Sequence, residues 1–172
     1  MAVAVAVGLL VIALAVGGWF VGKYNTMVEL RSGTAGYEKT WADVENQYQR
    51  RADLIPNLVA TVKGYAAHEE KTLTEVVEAR AKATQANIDA SSLTPEALEK
   101  FQAAQGQLSQ ALGRLMVVAE RYPDLKANTN FLELQSQLEG TENRIAVARQ
   151  RFNEAASKYN AYIMKFPGNI IA

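Results

Sequence analysis

The stretch AVAVAVGLLVIALAVGGWFV, residues 2–21, contains no charged side chain, and Lys23 is the first charged side chain of the sequence. About 20 residues of α-helix rise roughly 30 Å, which is the thickness of the hydrocarbon layer of a bilayer. The stretch therefore predicts a transmembrane anchor over residues 1–23. A cleaved signal peptide is the alternative, but no Lys or Arg precedes the apolar run and the run is longer than a usual signal-peptide core.

The residues at the C-terminal end of this run predict where the membrane surface lies. Trp19, Phe20 and Tyr24 fall where an aromatic belt is expected, and Lys23 adds a cation at the same level. Lys and Arg residues follow the apolar run and none precedes it. The positive-inside rule therefore predicts that the N-terminus lies outside and that the rest of the chain is cytoplasmic.

Small residues in the anchor form a pattern that permits close packing between membrane helices. Gly18 and Gly22 match the GxxxG motif, while Gly8 and Gly17 each follow an alanine four positions earlier. Because small side chains let two helix backbones approach each other, this pattern predicts a homo-oligomer that is held together within the membrane.

The remainder of the chain reads as amphipathic helix with few interruptions. From Phe131 to Phe166 apolar residues recur at alternating steps of three and four, with Thr141 as a polar member, which is the spacing of a coiled-coil seam. Thr94 before Pro95 predicts an N-cap and a helix start. The predicted helices cover about 24–51, 54–88, 95–121 and 130–166. They predict an all-α fold in which the transmembrane helix continues into a long-helix antiparallel four-helix bundle over residues 24–172.

A proline and its neighbours predict a corner between the first two of these helices. Arg51 would end one helix, where a cation favours the negative end of the helix dipole. Asp53 would cap the next helix and Pro56 would lie in its first turn, where the missing N–H has no intrahelical partner. Gly33 and Gly36 weaken the preceding helix, since an interior glycine costs up to about 1 kcal/mol.

Five polar residues close to the apolar seams are candidates for a polar network between the helices. We expect them to fix the register of the helices through ion pairs and hydrogen bonds, and a ligand or partner site built from the same groups is the alternative. These residues are Glu69, Arg80, Gln135, Glu142 and Arg149.

The composition argues against several classes of chemistry. The chain has no cysteine and a single histidine, His68, which is too few ligands for a zinc-protease motif or a di-metal carboxylate site. It carries no nucleophile-elbow motif and no glycine-rich phosphate loop. A net charge of zero without a basic block argues against nucleic-acid binding. We therefore expect no catalytic residues, no cofactor and no metal.

Three segments of the sequence resemble the LemA family. They are YNTMVELRS at 24–32, RRADLIPNLVATVKGYAAHE at 50–69 and NFLELQSQLEGTENRIAVARQRFNEAASKYNAYIMKFPGNIIA at 130–172. The resemblance implies a bacterial cell-membrane protein with one transmembrane helix, a small extracellular end and a long-helix bundle on the other side. It supplies no catalytic residues, because the family has none that are agreed. Similar proteins usually continue for a short tail beyond the position of Ala172.

Two functions are favoured by these features, and an enzyme or small-ligand carrier that uses the polar groups inside the bundle is a third hypothesis. The first is a non-enzymatic scaffold, in which the anchored bundle self-associates and organises or shapes the membrane. The alternative is a membrane-tethered adaptor that binds a partner protein through exposed helix faces. The expected partners are the lipid bilayer and other copies of the chain, and the sequence identifies no protein partner.

Overall fold

The computed structural model describes residues 1–171, apart from the side chains at positions 91 and 171, and this part of the chain contains helices and no strand. The all-α prediction is confirmed. The helices are α1 (Ala2–Ser32), α2 (Tyr37–Tyr65), α3 (Glu70–Gln85), α4 (Pro95–Ala119), α5 (Pro123–Lys126), α6 (Thr129–Ile163) and α7 (Gly168–Ile171), with a short 3-10 turn at Ala90–Ser92. The chain forms two compact units, one of Trp41–Arg149 and one of Met1–Thr40 with the segment from Gln150 onward.

The unit Trp41–Arg149 is a four-helix bundle built from α2, α3, α4 and the first part of α6. Apolar side chains at steps of three and four line the inner face of each helix, as amphipathic helices of a bundle require. The core includes Ile55, Leu58, Val62, Leu73, Val76, Leu108, Leu115, Phe131 and Leu138. The helices α4 and α6 begin within one residue and end within three residues of the predicted ranges 95–121 and 130–166.

The predicted corner at Arg51, Asp53 and Pro56 is wrong, because α2 runs without a break from Tyr37 to Tyr65. Pro56 lies inside the helix, and Asp53 is an exposed mid-helix residue that accepts a hydrogen bond from Gln49 at 2.7 Å. The chain instead turns at residues 66–69, after α2 and before α3. The bundle is therefore a four-helix bundle as predicted, but its first two helices are α2 and α3 rather than 24–51 and 54–88.

Helix α2 tolerates Pro56 because a side chain from another helix replaces the missing donor. Proline has no N–H, so the carbonyl of Ala52 loses its intrahelical partner. Arg80 of α3 donates from Nε to this carbonyl at 2.7 Å. Since Ala52 is buried, the guanidinium takes the place that water occupies at exposed prolines in helices. The carbonyl that Pro56 leaves without an intrahelical partner thus forms a hydrogen bond that joins α2 to α3.

The predicted helix over 24–51 is interrupted at its glycines. Helix α1 does continue beyond the apolar run, as expected, but it ends at Ser32, and α2 begins at Tyr37. At Gly36 a Cβ would lie 2.5 Å from the carbonyl oxygen of Arg31, so this turn requires glycine. Arg31 also donates from Nε to the Glu38 carboxylate at 2.7 Å across the turn, and this hydrogen bond raises the pKa of Arg31.

We expect Arg80→Met to lower the free energy of unfolding by about 1–3 kcal/mol, because it leaves a buried carbonyl without a donor. Pro56→Ala supplies the missing N–H, so Arg80→Met should cost less in that background, with a coupling energy on the order of 1 kcal/mol. Denaturant unfolding of the full-length protein in detergent, over the four members of this cycle, measures the coupling. Lys82→Met, at an exposed position of α3, is the control. An equal cost of Arg80→Met in both backgrounds would contradict this account.

Candidate functional site: the membrane helix and a buried arginine

Helix α1 exposes its apolar side chains to its surroundings. By length and composition it can cross a membrane, so the predicted apolar N-terminal helix is confirmed. A Cβ placed on any of the four glycines predicted to pack in the anchor would meet nothing within 4 Å. The shallow surface left by Gly8, Gly17, Gly18 and Gly22 is thus open to a neighbouring helix.

The four residues predicted at the membrane surface lie where α1 meets the end of α6. Trp19, Phe20 and Tyr24 are roughly half exposed, and the Trp19 and Phe20 rings meet edge to face at 5.3 Å. Lys23 is partly buried, and its backbone carbonyl accepts a hydrogen bond from the Tyr162 hydroxyl at 2.6 Å. The end of α6 is therefore fixed to α1 at the first charged residue after the apolar run.

Arg51 is the most deeply buried charged residue that the structure describes, with 1% of its surface exposed. Its Nη1 donates to the Ser109 hydroxyl at 2.8 Å and to the Glu142 carboxylate at 2.6 Å. Its Nη2 donates to the side-chain oxygen of Gln105 at 2.6 Å. The guanidinium also lies 5.0 Å from the centre of the Tyr48 ring, in cation–π range.

These contacts join three helices of the bundle through Arg51, and Gln105 extends the connection to the fourth. Arg51 is on α2, Ser109 and Gln105 are on α4, and Glu142 is on α6. Gln105 extends the connection to α3 by donating to the carbonyl of Ala83 at 3.3 Å. A buried guanidinium is stable only where acceptors replace its water, and here three acceptor side chains do so. Its Nε is buried without a hydrogen-bond partner among the described residues.

The five residues predicted to form one polar network are distributed over several contacts. Glu142 pairs with Arg51, a residue that we had predicted at a corner. Glu69, just before α3, pairs with Arg121 at 3.1 Å and accepts a hydrogen bond from the Tyr122 hydroxyl at 3.1 Å. The two ion pairs join different parts of the bundle. The pair of Glu142 with Arg51 connects the faces of α6 and α2, and the pair of Glu69 with Arg121 connects the start of α3 to the end of α4.

The other three residues of the predicted network have separate positions. Arg80 binds the carbonyl that Pro56 leaves unpaired, as described above. Gln135 donates to Glu139 at 3.1 Å along the surface of α6, and Arg149 is exposed on the same helix. Gln105 and Ser109, which the predicted network does not include, also bind Arg51. Gln105 could have been predicted, because it is a polar residue at a position where the helical spacing otherwise places apolar residues.

A small cleft adjoins a carboxyl group whose pKa is shifted. Burial, with a further contribution from the charge of Asp89, raises the pKa of Glu45. A shifted carboxyl in a cleft is a common feature of acid–base sites. The cleft beside Glu45 has a volume of about 20 Å³, however, which holds about one water molecule. Within residues 1–171, no three histidine or acidic side chains are placed to share a metal ion.

A wider groove of about 450 Å³ lies on the bundle surface between α2 and α6. Amide and carboxylate groups dominate its lining, which includes Asn57, Thr61, Asn130, Glu133 and Gln137. Such groups are suited to hydrogen bonds with a protein backbone or with water, and none of them is a strong nucleophile.

We expect Arg51→Ala to lower the free energy of unfolding by about 2–5 kcal/mol, because it opens a cavity and leaves the buried side-chain oxygen of Gln105 without its donor. Arg51→Met, which keeps most of the volume, should cost about 1–3 kcal/mol. Arg50→Ala is the matched control, since Arg50 is exposed on the same helix and its loss should change stability by less than about 0.5 kcal/mol. Chemical denaturation in detergent gives the three values, and similar midpoints for Arg51→Ala and Arg50→Ala would contradict the proposed role of Arg51.

Comparison with known proteins gives a consistent result. The model of the LemA family matches residues 40–172. The chain is 30% identical over 169 residues to magnetosome protein MamQ 2 of Paramagnetospirillum magneticum, covering 87% of this chain and 60% of that protein. It is 26% identical over 153 residues to protein LemA of Metamycoplasma hominis, covering 89% of this chain and 65% of that protein.

The chain thus spans about three fifths of the length of the MamQ protein that it matches. The family match nevertheless covers most of the chain, including all four helices of the bundle. The match shows that the chain belongs to the LemA family.

Proposed function

We propose that this protein is a non-enzymatic scaffold of the bacterial membrane, in which many copies associate through α1 and carry their helical bundles at the membrane surface. The observation that carries the proposal is the surface of α1, where four glycines lie open on an otherwise apolar helix. Its relation to a magnetosome protein and to protein LemA supports a role at a membrane.

The positions of the glycines favour an assembly of more than two copies. At 3.6 residues per turn, Gly18 and Gly22 lie close together on one face of α1, whereas Gly17 lies about 100° away from Gly18. A helix that is narrow on two faces can pack against two neighbours, and a contact between unlike faces extends into a ring or a row. Close packing of backbones replaces the hydrophobic effect as the driving force within lipid.

The polar interior of the bundle supports a structural role. The acceptors around Arg51 belong to the bundle itself and saturate most of its donors, so this charge serves the packing of four helices. The cleft beside Glu45 has the volume of about one water molecule, which leaves little space for a substrate.

The test of self-association is a pair of isoleucine substitutions at Gly18 and Gly22. The added side chains would separate the backbones, so we expect Gly18→Ile with Gly22→Ile to shift the detergent-solubilised protein from a large species to monomers or dimers. Val5→Phe with Val16→Phe enlarges the face of α1 that carries neither pair of small residues and is the matched control. An unchanged particle mass for the glycine variant would rule out packing through this face, and dispersal by the control alone would assign the contact to the other face.

We also propose that the N-terminus lies outside and the bundle in the cytoplasm, because Lys23, Arg31 and Lys39 closely follow the apolar run. Since the chain has no cysteine, Ala2→Cys and Val117→Cys each provide a single thiol. In intact cells a membrane-impermeant maleimide should label position 2 and leave position 117 unlabelled until the cells are lysed. Labelling of position 117 but not of position 2 in intact cells would show the opposite orientation.

A membrane-tethered adaptor is a second candidate function, and the groove between α2 and α6 favours it. Its amide-rich lining offers hydrogen-bond donors and acceptors to a partner protein on an exposed face of the bundle. A protein that stays monomeric or dimeric in its native lipid would favour the adaptor over the scaffold.

A further inference from the structure

The segment that follows α6 exposes large apolar side chains near α1. Met164 is 79% exposed, Phe166 is 71% exposed and Ile170 is 67% exposed. Single exposed apolar residues are ordinary on soluble surfaces, but several in one short segment mark a surface that another phase or molecule covers. We call residues 164–170 the C-terminal foot.

Two contacts fix the level of the C-terminal foot along α1. The Tyr162 hydroxyl binds the carbonyl of Lys23, and four residues further on the Phe166 ring lies 6.3 Å from the Trp19 ring. The segment thus runs antiparallel to α1 and, over about one helical turn, passes from the first charged residue to the end of the apolar run. The foot therefore lies at the level where the aromatic belt meets the lipid headgroups.

The chain folds tightly over the end of α6, which holds the foot at this level. Pro167 and Gly168 are buried, and a Cβ on Gly168 would clash with the backbone carbonyl of Tyr162. The short helix α7 then packs against α1. The exposed side chains of the foot are consequently carried on a backbone that is fixed against the membrane helix.

We propose that the C-terminal foot is a second membrane-contact site, in which Met164, Phe166 and Ile170 enter the interfacial layer of the bilayer beside α1. This inference rests on the membrane anchoring in the proposed function, and the occupant is lipid because the foot continues the lipid-facing surface of α1 at the level of Trp19. Apolar side chains of interfacial segments enter the boundary between headgroups and acyl chains, about 5–10 Å deep. Lys165, which lies within the foot, extends its cation to the lipid phosphates.

The absence of cysteine from the sequence allows a direct measurement of depth. Met164→Cys, Phe166→Cys and Ile170→Cys each carry one environment-sensitive fluorophore in the full-length protein, reconstituted in phosphatidylcholine vesicles. Quenching is measured with iodide in the water and with nitroxides placed either high on the lipid acyl chain or near its end. Leu10→Cys, in the apolar run, and Val117→Cys, which is 69% exposed on α4, are the lipid and water controls.

We expect the three foot positions to be quenched by the lipid nitroxide, and several-fold less by iodide than position 117. Strong iodide quenching at the three foot positions, together with lipid quenching at position 10, would contradict membrane contact by the C-terminal foot. The membrane insertion of α1 would still hold. Shielding of the foot from both quenchers would show that protein covers it and would also overturn the proposal. Strong iodide quenching at position 10 would instead contradict the membrane insertion of α1 itself, so the two failures are distinguishable.

Discussion

The apolar surface of α1 is the constraint on which the function of this protein depends. Its large apolar side chains from Leu9 to Leu14 are more than half exposed. Exposure of apolar surface to water costs about 25 cal/mol of free energy for each Å². Lipid or other copies of the helix must cover it. The open glycines make close contact between copies possible, and the end of α6, fixed to Lys23, brings a second apolar segment to the same level. The proposed scaffold and the proposed foot are therefore two consequences of one exposed helix.

Within the bundle, two arginines bind groups on other helices, and we infer that these contacts fix the register of the helices. Arg51 joins α2 to α4 and α6 through acceptors that are 54 to 91 positions distant in the sequence. Arg80 restores the hydrogen bond that Pro56 removes from α2. Each guanidinium requires its acceptors at fixed positions, since a buried donor without a partner costs more than a typical hydrogen bond contributes. A polar interior of this kind explains stability and register without reference to catalysis.

The sequence predicted those features that local patterns determine. Thr94 caps α4 by accepting from the N–H of Ala97 at 3.1 Å, as expected, and the unbroken seam after Phe131 becomes α6. The predicted corner at Pro56 is wrong, although buried apolar residues continue at helical spacing from Tyr48 through Ala52 to Ile55. Arg80, 28 positions from Ala52, donates to the carbonyl that the proline leaves without an intrahelical partner, and no local rule predicts that contact. The partners of Arg51 are also distant in the sequence, so no local pattern predicts them either.

The most direct measurement of the central claim is the mass and shape of the full-length protein extracted together with its native lipid, by electron microscopy of purified particles. Self-association through α1 predicts large, regular particles that contain many copies, with the bundles at the surface of a lipid layer. Particles with one or two copies, in lipid and at a concentration comparable to that in the cell, would contradict the scaffold and would turn attention to a partner protein bound at the exposed faces of the bundle.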